Sequence, residues 1–186
     1  MGQENLKQLM EKNHGALLKA WFEQVIGAYS DEAHKYFAKV DNEFSNPVGS
    51  NIYRALDQLL AELHGEADAD ALYRHLEMIM RIRAVQDMKP SRAVAFMFAF
   101  KAILRKQFAD EIAAGKVTEA DLRDMDGNLD TLGLMAFDLY MESKNLIYEL
   151  RIKQIKETND MLQKANLLNE SLDASSFMRC SNYIEE

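Results

Sequence analysis

The sequence is poor in the residues that build cross-linked or metal-held folds, and in those that interrupt helices. Its 186 residues include one cysteine, two prolines and eight glycines. The single cysteine, Cys180, excludes an internal disulfide framework and a thiolate-only zinc site within one chain. With so few prolines and glycines, little interrupts long helices.

Long hydrophobic runs are also missing. The longest, Ala93 to Phe100, has eight residues, whereas a helix that crosses a bilayer needs about 20. The opening segment, MGQENLKQLMEK, lacks the apolar core of a signal peptide. We therefore expect a cytoplasmic protein with no membrane partner.

Positive charge is scarce, with 22 lysines and arginines against 30 acidic residues and a net charge of −8. Nucleic-acid binding depends on clustered cations that displace counterions, so we expect no nucleic-acid partner. The sequence has no glycine-rich phosphate loop, nucleophile elbow or HExxH zinc motif. We therefore predict no enzyme, no catalytic residue, no metal site and no cofactor.

What the sequence does have is helical periodicity, and no stretch alternates as a strand. In one helix, from about 14 to 28, the apolar stripe includes Trp21. A later helix, 92–114, begins with an apolar run that predicts the centre of the core, and Ser91 is its expected N-cap. Thr118 and Asp121 resemble a capping box at the start of the last helix. The pattern predicts an all-α fold.

The late part of the chain has the 4-3 spacing of a coiled-coil seam. Asparagines on such a seam favour a dimer, so we expect a homodimer; the alternative is a helix that packs back on its own domain. We divide the chain into a sensor domain, 1–144, an extension of the last helix, 145–170, and a flexible tail, 171–186. The seam consists of Tyr148, Ile152, Ile155, Asn159, Leu162 and Asn166.

Both prolines lie at junctions between predicted helices. In FSNPVG, residues 44–49, Pro47 holds Asn46 out of the helical region. Asn46 can then cap the helix that follows. Phe44 and Val48 are apolar, so we expect this loop to pack on the core.

The second proline junction follows a helix whose apolar stripe ends in polar residues. Arg83 and Gln86 continue the stripe begun by Leu72, Leu76 and Ile79. A polar group on such a stripe must find partners. Two interpretations remain open: the side chains bond free backbone groups of the junction, which we favour, or they point into a ligand cavity.

Together, FSNPVG and IRAVQDMKPSRAVAFMFAFKAILR (81–105) resemble the N-terminal domain of the RsbR and RsbR-D stress-response regulators. Trp21 fits the same pattern, and the resemblance covers roughly residues 5–155. It implies a globin-like helical bundle without haem, which dimerises and whose last helix passes a signal onward as a short coiled coil. In the RsbR branch the receiver is a STAS domain, phosphorylated inside a stressosome.

The sequence departs from that branch because only a short tail follows the seam. We therefore expect a stand-alone, non-enzymatic sensor that signals to an unidentified partner protein or to its own dimer partner. Two alternatives remain: a haem- or metal-binding gas or redox sensor with His64 or His75 as a ligand, and a structural scaffold that oligomerises through 145–170. The candidate junction or ligand-binding residues are Trp21, Phe44, Asn46, Pro47, Arg83, Gln86, Pro90 and Ser91.

Overall fold

The computed structural model describes the backbone of residues 6–40 and 46–181, and side chains through residue 166. Over these residues the chain forms eight α-helices and no β-strand. The all-α prediction is confirmed. The helices are α1 (Leu6–Lys12), α2 (His14–Ile26), α3 (Asp31–Phe37), α4 (Pro47–His64), α5 (Ala69–Val85), α6 (Pro90–Gln107), α7 (Ala109–Ala113) and α8 (Glu119–Ser181).

Several helices begin at a side chain that the sequence marks as a cap. At α8, the Asp121 amide donates to Thr118 Oγ1 at 3.2 Å, and the Thr118 amide donates to Asp121 Oδ2 at 2.9 Å. This reciprocal pair is the predicted capping box. The hydrogen bonds from Thr118 lower the pKa of the Asp121 carboxyl. Ser30 and Asp68 cap α3 and α5 without a reciprocal bond, each by accepting one backbone amide.

The core of the N-terminal unit, Met1–Lys144, includes α6, whose Phe96, Met97 and Phe100 are at most 2% exposed. Helix α6 packs against α2 and α5, and α4 packs against α1, α2, α3 and α5. The apolar run of α6 that predicts a core helix is not buried throughout, because Phe98 is 40% exposed. The Phe98 ring lies against Gly133 of α8, so closely that a β-carbon at that position would overlap it.

Two ion pairs fix the position of α6 along α8. Arg105 makes a bidentate pair with Asp126, at 3.0 and 2.5 Å, and Lys101 Nζ lies 2.6 Å from Asp130 Oδ1. The hydrogen bonds from Arg105 lower the pKa of the Asp126 carboxyl. Such partly exposed pairs contribute at most about 1 kcal/mol each, so their main effect is to specify register.

In the C-terminal unit, Asn145–Glu186, the described residues belong to the later part of α8, which ends at Ser181. Its described side chains are almost all exposed, including large apolar ones. In the predicted tail, 171–186, the backbone of residues 171–181 belongs to α8. Residues 182–186 lie outside the described part of the chain.

Candidate functional site

The first proline junction is organised by one asparagine side chain. Asn46 is 1% exposed, and its Oδ1 accepts the Gly49 amide at 2.9 Å. Its Nδ2 donates to three carbonyl oxygens at the end of α3, those of Tyr36, Phe37 and Lys39, at 3.1, 3.0 and 2.9 Å. One side chain therefore starts α4 and terminates α3. The predicted cap is confirmed, whereas Phe44 lies outside the described residues.

Residues next to Asn46 suit this arrangement for physical reasons. Pro47 occupies the first turn of α4, where its missing N–H leaves no hydrogen bond unmade. Gly49 faces the Asn46 side chain and the Phe37 carbonyl so closely that a β-carbon would overlap both. The N-P-x-G part of FSNPVG is therefore a structural motif that joins two helices.

The second proline junction contains a buried arginine. Arg83 is fully buried, and its guanidinium donates to the Val25 carbonyl at 2.8 Å and to the Ala93 carbonyl at 2.6 Å. Its guanidinium carbon also lies 5.0 Å from the Phe96 ring centre. A cation suits the C-terminal end of α2, where carbonyls lack helical partners. For Arg83 the contacts support the backbone-bonding interpretation.

No carboxylate among the described residues forms an ion pair with Arg83, and its guanidinium lies beside the side chain of Tyr29. The Arg83 Nε and the Tyr29 hydroxyl are both buried, and neither makes a hydrogen bond of acceptable geometry. Burial lowers the pKa of the Arg83 guanidinium. Burial also raises the pKa of Tyr29, an effect that the adjacent Arg83 charge partly offsets. Sequence reasoning missed Tyr29, whose only signal was an aromatic residue between two helices.

The turn between α5 and α6 is a Schellman motif with an unusual residue. The Asp87 amide donates to the Ala84 carbonyl at 3.1 Å, and the Met88 amide donates to the Arg83 carbonyl at 3.3 Å. This pattern places Asp87 in the left-handed region, at φ 56°, where glycine is the usual residue. The cost relative to glycine is about 1 kcal/mol.

Two side chains of α8 hold this turn, and neither was predicted. The Tyr140 hydroxyl donates to the Met88 carbonyl, and Lys144 Nζ donates to the Asp87 carboxylate. Tyr140 is fully buried and Lys144 is 6% exposed. Lys144 is also the last residue of the N-terminal unit. We call Asp87, Met88, Tyr140 and Lys144 the α8 tether.

The remaining candidates of the second junction lie near this turn. Gln86, Pro90 and Ser91 are exposed, and Gln86 lines a cavity. The prediction that Ser91 caps α6 is wrong, because the N-cap is Lys89 and Pro90 is already helical. Proline is favoured at the first helical position, so the helix begins earlier than the serine suggested.

One aromatic residue connects the two junctions. The Phe37 carbonyl binds Asn46 of the first junction, and its side chain lines the same cavity as Gln86. Its ring also packs edge-on against Tyr29, with ring centres 4.9 Å apart. Trp21, by contrast, lies in the core, where its Nε1 donates to the Phe96 carbonyl at 2.9 Å.

The histidines considered as haem ligands lie elsewhere. His14 Nε2 is 2.7 Å from Asp57 Oδ1, and His14 Nδ1 is 3.0 Å from His64 Nε2. Burial lowers the pKa of His64, and His14 lowers it further. His75 is half-buried on α5. Among the described side chains, no group of three histidine, cysteine or acidic residues could hold a metal ion.

The seam residues form an exposed stripe on the C-terminal unit. Tyr148, Ile152, Ile155 and Leu162 are 48%, 53%, 61% and 57% exposed, and Asn159 and Asn166 are exposed as well. In heptad terms Ile152 and both asparagines occupy a positions. In the part of the chain that the structure describes, no helix combines the length and mean hydropathy needed to cross a bilayer.

Comparison with known proteins gives one result. No curated protein and no solved structure matches the chain. The family model described as the RsbT co-antagonist protein RsbRD N-terminal domain matches residues 15–153. This match includes both proline junctions and the α8 tether, and it spans well over half of the chain. The protein therefore belongs to the RsbT co-antagonist RsbRD N-terminal domain family.

Proposed function

We propose that the chain is a non-enzymatic sensor domain that passes a ligand or partner-protein signal from the second proline junction to its C-terminal helix. The family supports a regulatory role in stress signalling. The observation that carries the proposal is the α8 tether, in which Tyr140 and Lys144 bind the Asp87–Met88 turn. A change in that turn would act directly on α8.

The backbone strain at Asp87 and its contact with Lys144 oppose each other, so the turn can adopt two arrangements. Its left-handed backbone is strained relative to glycine, but glycine has no carboxylate to bind Lys144. The tether therefore offsets the strain only while α8 keeps its position. Strained residues with a local compensating contact are common at switch regions. A ligand shifts such an equilibrium only if it binds one arrangement better.

On this proposal the C-terminal unit pairs with a second copy through the exposed seam, as a homodimer. An isolated stripe of large apolar residues is stabilised when two such stripes pack together. The asparagines at a positions favour a two-stranded parallel pair. The globin-like arrangement implied by the resemblance and the signalling partner belong to the same proposal.

Lys144→Met tests the coupling between tether and seam. We expect the dimer dissociation constant, measured by sedimentation equilibrium on the full chain, to rise about threefold or more, a change of roughly 0.7 kcal/mol. The reason is that the helix preceding the seam loses an anchor and must be ordered on association. Lys164→Met, on the outer face of the same helix, serves as the control.

Equal dissociation constants for wild type and Lys144→Met would contradict the coupling. A chain that stays monomeric at high concentration would contradict the dimer. If a chain that ends at Lys144 still dimerises and still binds its partner, then the seam is not the dimer interface and the scaffold alternative is wrong. A Soret band in the purified protein would instead support the haem alternative.

The parallel pairing makes a prediction about charge. In a parallel dimer Arg151, at a g position, faces Lys156, at an e position, of the second copy, and this like-charge contact is unfavourable. Arg151→Glu converts two repulsive contacts into two attractive ones. We expect the dimer dissociation constant to fall about fivefold, since each pair contributes about 0.5 kcal/mol. Lys164→Glu makes the same charge change away from the seam and should have no such effect. Weaker association in Arg151→Glu would argue against parallel pairing.

A further inference from the structure

A cavity of about 440 Å³ lies at the second proline junction. Its volume falls in the range of small-molecule sites. Its wall is formed by the segment after α2, by α3, by the turn between α5 and α6, and by the first turn of α6. Its apolar side includes Ala28, Ala33 and Phe37, and its polar side includes Tyr29, Lys89 and Arg92.

The charges around this cavity are unbalanced. Lys89 and Arg92 line it, and the buried Arg83 lies close enough for the charge of Arg92 to lower its pKa. Among the described residues that line the cavity, Asp87 supplies the one carboxylate, and that carboxylate is bound by Lys144. Part of the excess is offset by the Val25 carbonyl at the C-terminal end of α2, which binds Arg83, and by the Ala28 carbonyl just after that helix, which binds Arg92. The cavity remains electropositive in a chain of net charge −8.

Hydrogen-bond donors are also in excess here. The N-terminus of α6 has no side-chain cap, so the first amides after Pro90 and the positive end of the helix dipole are available to an anion. The hydroxyl of Tyr29, a residue of the cavity wall, faces the Arg83 guanidinium, which is itself a donor, so Arg83 offers no acceptor for the hydroxyl proton. Buried or half-buried donors normally find acceptors, and an oxyanion supplies several.

We propose that this cavity binds a small molecule with one oxyanion group, a carboxylate or a phosphate, on an apolar body. The oxyanion lies between Lys89, Arg92 and the N-terminus of α6. The apolar body packs against Ala33 and Phe37. The cavity opens to solvent on one side, and its volume of about 440 Å³ is that of a site for a small molecule rather than for a protein segment or a membrane surface.

The position of the cavity gives the ligand a regulatory consequence. The wall includes Asp87 and Met88, the two residues that Tyr140 and Lys144 hold. An anion beside Asp87 repels the Asp87 carboxylate, which Lys144 binds, and so favours one arrangement of the turn. This regulatory step rests on the proposed sensor function, whereas binding itself does not.

The experiment uses the full chain and three probes of similar size: benzoate, phenyl phosphate and the neutral benzyl alcohol. Binding is measured by calorimetric titration and by NMR chemical-shift changes. We expect at least one anion to bind at least tenfold more tightly than the alcohol. Lys89→Gln should raise the dissociation constant of that anion about tenfold, as expected for a lost charge-assisted hydrogen bond. Arg74→Gln, an exposed arginine of α5, is the control and should change nothing.

Lys89 is exposed and makes no capping hydrogen bond, so Lys89→Gln tests charge without disturbing the fold. Arg92→Gln is a second variant, with its melting temperature measured separately because Arg92 also binds the Ala28 carbonyl at 2.7 Å.

Equal affinity for the alcohol and the anions, no anion binding at millimolar concentration, or an unchanged dissociation constant in Lys89→Gln overturns the proposal. If the anion binds as expected but does not change the dimer dissociation constant, the proposed anion site is correct and the proposed sensor function is wrong. If Lys144→Met alters dimerisation while no anion binds, the coupling between the α8 tether and the seam stands and the proposed anion site is wrong.

Discussion

Asn46→Asp is expected to lower the free energy of unfolding by about 3 kcal/mol at neutral pH, although it changes a single atom position. In the native protein Nδ2 donates to three carbonyl oxygens. A carboxylate oxygen at that place faces the same three acceptors and cannot donate. For a domain of this size the melting temperature should fall by about 6–12 °C.

The pH dependence of this loss has a defined sign. Burial against carbonyls favours the protonated acid, so the folded-state pKa of the introduced carboxyl is raised above its unfolded value. The loss is complete above that folded pKa and shrinks as the pH falls to about 4, where the protonated acid again supplies one donor. Asp68→Asn, the opposite exchange at the exposed cap of α5, should change stability by less than about 0.5 kcal/mol. Calorimetry of both variants across pH checks the prediction, and a pH-independent deficit in Asn46→Asp would contradict it.

Arg83→Lys is expected to be more damaging than Arg83→Met. Lysine keeps the positive charge in a fully buried position, but a single ammonium cannot reach the carbonyls of both Val25 and Ala93 as the forked guanidinium does. Methionine gives up the hydrogen bonds and also removes the charge that must be desolvated. We expect losses of about 3 kcal/mol for lysine and about 2 kcal/mol for methionine.

Urea denaturation of the two variants measures these losses, with the exposed Arg74→Met as a control that should change stability by less than about 0.5 kcal/mol. If lysine proves the milder substitution, then retained hydrogen bonds outweigh the cost of the buried charge. The interpretation of Arg83 as an arginine required for its fork geometry would then be wrong.

Local patterns in the sequence predicted local structure well. The cap at Asn46 follows from a proline at the next position, and the Thr118–Asp121 box follows from spacing alone, because both depend on residues a few positions apart. The apolar run in α6 predicted a core helix but not that Phe98 is exposed, since a run without polar residues does not show which face is covered. Ser91 is a favourable cap residue, which led to the wrong start for α6. Proline favours the first helical turn more strongly, and the helix begins at Pro90.

Long-range contacts could not be predicted in this way. Arg83 binds Val25, 58 residues earlier, and Lys144 binds Asp87, 57 residues earlier. Such pairs depend on how helices pack, which a periodic stripe does not specify. The left-handed Asp87 gives no sequence signal because aspartate is common in turns of every type. The polar interruption at Arg83 correctly indicated the junction, but not the tyrosine or the α8 tether beside it.

Trp21 has a practical consequence. It is the only tryptophan of the chain, it is fully buried, and its ring stacks on Phe100 with ring centres 4.2 Å apart. Its fluorescence therefore comes from one known place, the contact between α2 and α6. The last turn of α2 and the first turn of α6 are also where Arg83 binds. The protein thus carries an intrinsic optical reporter of the contact on which its second junction is built.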